Sequence, residues 1–477
     1  MSSKKGKIRV RFIGTNAESV TGSMTLVESD RYKLLLEAGL YQSNSPLTDY
    51  KANARRLPFK PKDIDFIFIG HAHADHMLLI PRLVSEGFCG RIIAPKGTKA
   101  LFEIMAADSA YIISKDVEML ARKYNTSPAP IYTEDDVIDS LKYFEEYGMN
   151  DRVVLNEDIS FKFIPSGHII CAAQIKLWLR RGSGNNTKTI LYTSDLGNVM
   201  YEKYYVPEFE KANGANLVIA ESTYSDELRA VTLKDRKKDL EKIENIIRQV
   251  CIEQKEKVLI PIFSLDRCQN LMTHIYNIFA ECEEFDVPVL IDSPMAIRLN
   301  DLYGELLGGD QKRKWDEVHN WDKFEYLMDY EQSQAWMKSD KPCVVLAASG
   351  FMQAGRSRQW AKSILPNRNA HIIFVGFSTE NALAGKIKHG NKQKTISIDG
   401  KPYQNRCGIT DLKSFSGHMQ KCDMLRYYGD LNCEKIALVH GEFKAKCLFA
   451  KELQDCISKN NGSAKVVCVN KSTEVLL

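Results

Sequence analysis

The feature that most constrains this chain is a dense group of histidines directly after a short apolar run. Residues 64–70 predict a buried strand, and the next six residues read His71-x-His73-x-Asp75-His76, where x is alanine. Only ten histidines occur in the chain, so chance does not explain three of them within six residues. Imidazole nitrogens and carboxylate oxygens are the ligands that zinc and similar divalent metals prefer. The segment therefore predicts a metal site at the end of a strand.

Other apolar runs repeat this pattern, because each ends in a side chain that could bind a metal. The residues at these ends are His168, Asp195, Glu221 and His440. One such residue alone would be weak evidence. Because neighbouring strands with a common direction end at the same edge of a sheet, we expect these side chains to converge on the histidine group.

Helical stretches separate the apolar runs along most of the chain. This alternation is typical of a layered α/β protein. At about 100–200 residues per domain, the 477 residues predict two or three domains.

Composition limits the partners and the surroundings that we expect. The 65 Lys and Arg against 61 Asp and Glu leave a formal charge of +4, so any site for a polyanion must be local. No apolar run approaches the roughly 18 residues of a membrane span, which favours a soluble, cytoplasmic protein without a membrane partner. The 12 cysteines form no C-x-x-C pair, and we expect reduced thiols, including those in apolar runs at Cys251, Cys343 and Cys468.

These motifs resemble those of the metallo-β-lactamase superfamily and, more narrowly, of its β-CASP branch of nucleic-acid-processing nucleases. Residues 71–76 are similar to the H-x-H-x-D-H signature of the superfamily, and His168 and Asp195 are similar to its third and fourth motifs. The branch motifs A, B and C resemble the surroundings of Glu221, His418 and His440. Stretches similar to the inserted β-CASP domain lie at 260–269, 291–296, 349–356 and 376–383.

The resemblance implies an α/β fold, in which an αββα metallo-β-lactamase sandwich carries an inserted α/β β-CASP domain. It places the first part of the sandwich at 1–225, the insertion at 226–410 and the return segment at 411–477. The chain then resembles the compact bacterial form of the branch, related to RNase J and to the eukaryotic mRNA 3′-end cleavage nuclease. We expect neither the long carboxyl-terminal domain of RNase J nor the KH-like extension of the archaeal relatives.

The resemblance also implies two Zn²⁺ ions per chain and assigns their ligands. One ion would be held by His71, His73 and His168, the other by Asp75, His76 and His440, and Asp195 would bridge them. The candidate general acid is His418, paired with Glu221. The residues implied to carry the chemistry are therefore Asp75, Asp195, Glu221 and His418.

The implied activity is zinc-dependent hydrolysis of RNA phosphodiester bonds in RNA processing or decay, with single-stranded RNA as the expected substrate. Substrate contacts are expected from Arg356, Ser349, Gly350 and Arg267, and less securely from the lysines at 386 and 388. The turn at 349–356 suits phosphate, but it also fits a strand-to-helix turn whose arginine pairs with a carboxylate.

One departure from the family concerns Glu37, which stands where the family usually has an aspartate that supports the site without binding metal. Its effect on the ligand geometry stays open. Three other functions are also left open. They are hydrolysis of DNA, hydrolysis of a small ester, and a binding subunit without activity. The RNA target, the choice between internal and 5′-exonucleolytic cleavage, and the oligomeric state, a homodimer included, are not fixed by the sequence.

Overall fold

The computed structural model describes residues 7–43, 45–182, 186–200, 203–226, 231–376, 378–390 and 395–477. The chain divides into two compact units. The first contains residues 1–199, 206–230 and 417–477, and the second contains residues 200–205 and 231–416. The expected boundaries at 226 and 411 fall a few residues before the observed 231 and 417, and the short segment 200–205 was not expected in the second unit.

The first unit begins with strands and helices that alternate along the chain. Its elements up to residue 226 are β1 Arg9–Phe12, β2 Thr25–Glu28, β3 Lys33–Leu36, α1 Pro46–Asn53, β4 Phe66–Phe68, α2 Ala74–Met77, α3 Ile80–Ser85, β5 Arg91–Pro95, α4 Thr98–Tyr124, α5 Glu134–Ser140, β6 Phe144–Tyr147, β7 Val153–Val154, β8 Ile159–Pro165, β9 Ala173–Arg181, β10 Asn186–Tyr192 and β11 Ala215–Glu221.

The second unit follows as a run of helices and strands between residues 231 and 416. Its elements are α6 Leu233–Ile247, which continues into a π-helical segment Arg248–Glu253, then β12 Lys257–Ile262, α7 Arg267–Phe279, β13 Val289–Asp292, α8 Pro294–Leu306, α9 Gly309–His319, β14 Phe324–Tyr326, α10 Tyr330–Lys338, β15 Cys343–Ala348, α11 Gly355–Ile364, β16 His371–Phe374, α12 Leu383–His389, β17 Thr395–Ile398, β18 Lys401–Gln404 and β19 Gly408–Asp411.

The chain then returns to the first unit. The elements of this return segment are α13 Lys421–Gly429, β20 Cys433–Val439, α14 Phe443–Lys459, β21 Lys465–Cys468 and β22 Glu474–Leu476.

Two sheets form the core of the first unit. Within the described residues, one has the order β22-β1-β2-β3-β4-β5-β6 and the other β21-β20-β11-β10-β9-β8-β7. Alternating apolar residues of both sheets, such as Phe12, Phe68, Phe161 and Leu177, interlock in one buried cluster. Helices α13 and α14 cover part of the outer face of the second sheet, and α4 packs on β5 and β6. The expected αββα sandwich is therefore confirmed.

The second unit contains a parallel sheet of order β14-β13-β15-β12-β16-β19 and a small hairpin of β17 and β18. Its central strands β12 and β15 are almost wholly apolar, as expected for parallel strands with helices on both faces. This agrees with the α/β insertion implied by the sequence. No helix within the described ranges combines the length and apolar character needed to cross a lipid bilayer.

One expectation about the cysteines was wrong. Cys468, at the end of β21, forms a disulfide with Cys447 on α14, with the two Cα atoms 5.4 Å apart. Packing of α14 against β21 brings the two thiols together, although 21 residues separate them in the sequence. The buried thiols of Cys251 and Cys343 are free, as expected.

Candidate metal centre

The predicted ligands gather at one end of the two sheets of the first unit. His71 follows β4, His168 follows β8, Asp195 follows β10 and His440 follows β20. Strands β10, β11 and β20 run parallel, and β8 has the same direction because β9 is antiparallel to both β8 and β10. Their carboxyl ends therefore meet at one edge, which brings residues far apart in the sequence into one cluster.

The first set of donors consists of three imidazoles and one carboxylate oxygen. His73 Nδ1 lies 3.1 Å from His71 Nε2 and 3.2 Å from His168 Nε2. Asp195 Oδ2 lies 3.5 Å from His71 Nε2 and 3.6 Å from His168 Nε2. These four atoms surround a common point, as the sequence led us to expect for one metal ion.

The second set contains Asp75, His76, His440 and the other oxygen of Asp195. His76 Nε2 lies 3.3 Å from His440 Nε2, 3.6 Å from Asp75 Oδ2 and 3.4 Å from Asp195 Oδ1. His440 Nε2 lies 3.2 Å from Asp75 Oδ2. Asp195 thus turns one oxygen toward each set.

These spacings suit zinc. Ligand atoms about 2.0–2.1 Å from a tetrahedral zinc lie roughly 3.3–3.4 Å from one another, close to the separations in both sets. Nitrogen and carboxylate oxygen are also the donors that borderline divalent metals prefer. The residues present therefore fit one metal ion in each set.

Electrostatics favour a cation at the same place. Burial lowers the pKa of His71 far below its ordinary value, so this ring is neutral. Burial opposes the ionisation of Asp195, yet His440, His76 and His71 hold its pKa well below the usual range. Burial would lower the pKa of His76 as well, but Asp195 and Asp75 raise it well above the ordinary value. These carboxylates therefore attract positive charge.

Hydroxyl groups orient the histidine rings so that a lone pair faces each set. Ser194 Oγ donates to Glu37 Oε1 at 3.0 Å and lies 2.9 Å from His71 Nδ1. Since the hydroxyl proton is used on Glu37, His71 Nδ1 donates and leaves Nε2 free to bind metal. Glu37 Oε1 also lies 3.4 Å from His76 Nδ1 and accepts from Gly70 N at 3.1 Å. The glutamate therefore orients one ligand of each set.

The same device appears at His440. Thr223 Oγ1 donates to Glu221 Oε2 at 2.6 Å and lies 2.9 Å from His440 Nδ1, so Nδ1 is the nitrogen that donates and Nε2 is the one directed at the second set. His168 Nδ1 faces the carbonyl oxygen of Gly417 at 3.3 Å, so its Nε2 also carries the lone pair. Neither Ser194 nor Thr223 was identified from the sequence, because a lone hydroxyl after a strand carries no distinctive signal.

Left-handed backbone occurs at three of these positions. Glu37, Ser194 and His440 have φ of 65°, 50° and 53°, and each stands at the carboxyl end of a strand. Such a conformation costs a residue with a side chain about 1–3 kcal/mol and persists where the surroundings impose it. Here it turns the chain sharply and aims the side chain into the cluster.

The hydroxyl groups of Ser194 and Thr223 allow metal binding at the two donor sets to be tested separately. We expect Ser194→Ala to weaken metal binding at the set containing His71, and Thr223→Val to weaken it at the set containing His440, each by about 10–100-fold. Chelator competition with zinc readout would measure both sites. Ser225→Ala, a buried serine of the same unit, is the control, and equal loss from both sets in each variant would contradict the assignment.

His418 lies beside the metal ligands without joining either set. Its Nδ1 is 3.7 Å from Glu221 Oε1 and 3.9 Å from Asp195 Oδ2, and 22% of its side chain is exposed. Its main chain pairs with Gly197, and the ring packs against those of His168 and Tyr224. The structure thus brings together the predicted pair of His418 and Glu221.

The predicted substrate contacts lie in the second unit and differ among themselves. Arg267, at the start of α7, and Gly350, after β15, line one surface depression with Phe263 and Gly376. Arg267 also donates to the carbonyl oxygen of Val375. Ser349 Oγ donates to the carbonyl oxygen of Ala354 at 3.3 Å.

Arg356 has a different environment from the one expected. It pairs with the fully buried carboxylate of Asp292 and donates to the carbonyl oxygens of Leu327 at 2.7 Å and Met328 at 2.5 Å. This is the alternative in which the arginine of the turn pairs with a carboxylate. Lys388 is likewise engaged, by Asp411 at 2.8 Å.

Three models of known families match successive parts of the chain. The model described as "Metallo-beta-lactamase superfamily" matches residues 19–154, and the "Beta-Casp domain" matches residues 268–387. A third, described as "Zn-dependent metallo-hydrolase RNA specificity domain", matches residues 403–466.

Several curated proteins are similar over most of this chain. Ribonuclease TTHA0252 of Thermus thermophilus is 28% identical over 89% of this chain and 91% of its own length. The transcription termination factor FttA of Methanocaldococcus jannaschii is 26% identical over 92% of this chain and 68% of its own. Integrator complex subunit 11 of Danio rerio is 24% identical over 98% and 75%, respectively.

A solved structure shows the same fold. The crystal structure of a protein of unknown function from Enterococcus faecalis V583 matches with a TM-score of 0.51, covering 99% of this chain and 100% of that one at 13% identity. Three family models in the expected order, and relatives similar along most of the sequence, agree with the motifs around the donor sets. The chain therefore contains metallo-β-lactamase and β-CASP domains and is a metal-dependent hydrolase.

Proposed function

We propose that this protein is a ribonuclease that binds two zinc ions and hydrolyses phosphodiester bonds of single-stranded RNA. The observation that carries the proposal is the pair of donor sets with Asp195 between them, one oxygen near each set, and with His418 and Glu221 beside them. Seven ligands, spaced as in two tetrahedral sites, suit a centre in which two cations bind one phosphate.

Zinc bound at these sets would neutralise charge on the scissile phosphate and make water acidic enough to act as a nucleophile near neutral pH. The protein supplies the remaining groups. His418 turns Nδ1 toward Glu221 and Asp195, so its Nε2 is the atom that donates a proton to the leaving oxygen. Glu221 is itself fixed by Leu196 N and by Thr223, which hold the carboxylate in place while it orients the ring.

RNA is the substrate favoured by two findings. The model matching residues 403–466 is described as an RNA specificity domain, and the first relative named above is a ribonuclease. The resemblance to the β-CASP branch points the same way, because motif C contains His440 here and the DNA-processing members of that branch carry valine at this position. In the second unit, we assign RNA contacts to Arg267 and to the main chain of Ser349 and Gly350, while Arg356 supports the fold through Asp292.

The experiment that tests this proposal compares three substrates with one preparation. Labelled single-stranded RNA, DNA of the same sequence and bis(p-nitrophenyl) phosphate are incubated with protein purified without chelator, and zinc is counted by elemental analysis. We expect two zinc ions per chain and RNA cleavage much faster than DNA cleavage. Equal rates on RNA and DNA would contradict the RNA assignment, and hydrolysis of the ester alone would indicate a small-substrate hydrolase.

A further inference from the structure

The outer face of β8 and β9, in the first unit, carries positively charged side chains that are not part of the candidate metal centre. Strands β8 and β9 are antiparallel, and their inward residues belong to the core between the sheets. The outward residues include Lys162 on β8 and Lys176 and Trp178 on β9. Arg152, just before β7, lies over this face with its guanidinium 4.3 Å from the centre of the Trp178 ring.

Two lysines stand directly opposite each other on this face. Lys162 and Lys176 are partners in the register of the two strands, a placement in which like charges destabilise a sheet. In the described part of the chain, no carboxylate lies within ion-pair distance of Lys162, Lys176 or Arg152. The whole chain has 65 cationic and 61 acidic residues. With charges so nearly balanced, most cations are expected to have acidic neighbours, so a cluster of cations without them is unusual.

The aromatic group at this face points to the kind of anion. Trp178 is half-buried, with the Arg152 guanidinium and the Lys176 ammonium both within 6 Å of its ring centre. Among the described residues, the hydrogen bonds of Arg152 go to Ser160 Oγ, at 2.9 and 3.2 Å, so donors remain for a phosphate. Cations beside an aromatic ring on an open sheet face are the elements with which proteins hold single-stranded nucleic acid.

Neighbouring parts of the sheet explain why this face is open. Helices α13 and α14 cover the outer side of β10, β11 and β20, where Leu191, Val218 and Leu438 are buried. The corresponding positions on β8 and β9 are polar or cationic at Ser160, Lys162 and Lys176. A sequence selected for a covering helix would place apolar residues there.

We propose that Arg152, Lys162, Lys176 and Trp178 form an accessory surface that binds a single-stranded segment of the RNA substrate outside the metal centre. The two lysines contact phosphates, and Trp178 with Arg152 offers a stacking surface for a base. This inference rests on the proposed ribonuclease function, because that function supplies the polyanion. It predicts that long RNAs bind more tightly than short ones.

The test measures binding of a fluorescein-labelled 20-nucleotide oligouridylate at several salt concentrations, in a His418→Ala background that prevents cleavage. Lys162→Gln with Lys176→Gln should weaken binding about tenfold and reduce the log–log salt slope by roughly 1.4, or ~0.7 for each lost phosphate contact. Trp178→Ala should weaken binding about tenfold with little change in slope, and Trp178→Phe should restore most of it.

Controls separate this surface from the metal centre. Lys60→Gln with Lys62→Gln removes the same charge from exposed positions and should leave affinity and slope near the parent values. With His418 intact, the variants of the surface should hydrolyse bis(p-nitrophenyl) phosphate as fast as the parent. Melting curves verify that each variant is folded.

The outcomes are distinct. Unchanged affinity and slope in folded Lys162 and Lys176 variants would overturn the accessory surface while leaving the ribonuclease proposal in place. A loss of oligouridylate affinity accompanied by an equal loss in the rate of small-ester hydrolysis would also overturn it, because these residues would then lie at the reacting centre. A parent protein that neither binds nor cleaves RNA would instead refute the proposed function itself.

Discussion

Asp195→Ala is expected to lower RNA turnover by at least about 10⁴-fold and to remove zinc from both donor sets. Its two oxygens lie 3.4–3.6 Å from ring nitrogens of the two sets, so one substitution deletes one ligand from each. A loss of roughly 5.5 kcal/mol in transition-state stabilisation corresponds to that factor, within the several kcal/mol that metal ions contribute. Elemental analysis and cleavage of labelled RNA are the measurements.

Asp158→Ala is the matched control for this variant. Asp158 is a buried carboxylate of the same unit. It pairs with Arg31 at 2.7 Å and belongs to neither donor set. It should retain zinc and cleave RNA at close to the parent rate. If Asp195→Ala kept two zinc ions, Asp195 would not be the shared ligand.

His418→Ala is expected to lower RNA turnover by about 10²–10⁴-fold with the zinc content unchanged, since general acid catalysis typically contributes that much. His418 is not one of the seven assigned ligands, although its Nδ1 lies 3.9 Å from Asp195 Oδ2 and 3.7 Å from Glu221 Oε1. An activated ester with a p-nitrophenolate leaving group needs no proton, so its hydrolysis should fall far less than that of RNA.

The comparison of substrates decides the role of His418. A loss of zinc in this variant would show that the ring binds metal, and equal losses on RNA and on the activated ester would show that it acts before the leaving group departs. His389→Ala, which removes an exposed histidine from the end of α12, is the control and should behave as the parent on both substrates.

The convergence of the candidate ligands was predictable because they follow apolar strands, and strands that end at one edge bring their next residues together. The fold was predictable from the same alternation and from motifs in a fixed order. The roles of Ser194 and Thr223 were not predictable. They depend on the hydrogen bonds that the two hydroxyl groups donate, from Ser194 to Glu37 and from Thr223 to Glu221. These bonds depend on atomic positions contributed by five different strands, β3, β4, β10, β11 and β20.

Other differences have a similar origin. Arg356 was expected to contact a phosphate because its turn is rich in glycine. It instead pairs with the buried carboxylate of Asp292, which lies 64 residues earlier in the sequence. Cys447 and Cys468 meet because a helix packs on a strand, and no spacing rule indicated it. The opposed lysines at 162 and 176 became visible only once the register of β8 and β9 was known.

Strand β20 returns to pair with β11 only after the entire second unit, with Leu217 opposite Lys435. The strand delivers His440, whereas six of the seven proposed ligands precede residue 200. A chain still being synthesised therefore lacks His418, the last proposed ligand and one neighbour of β11 until residue 440 has been made. On the proposed function, we expect the nascent nuclease to be inactive up to that point, while it is surrounded by ribosomal and messenger RNA.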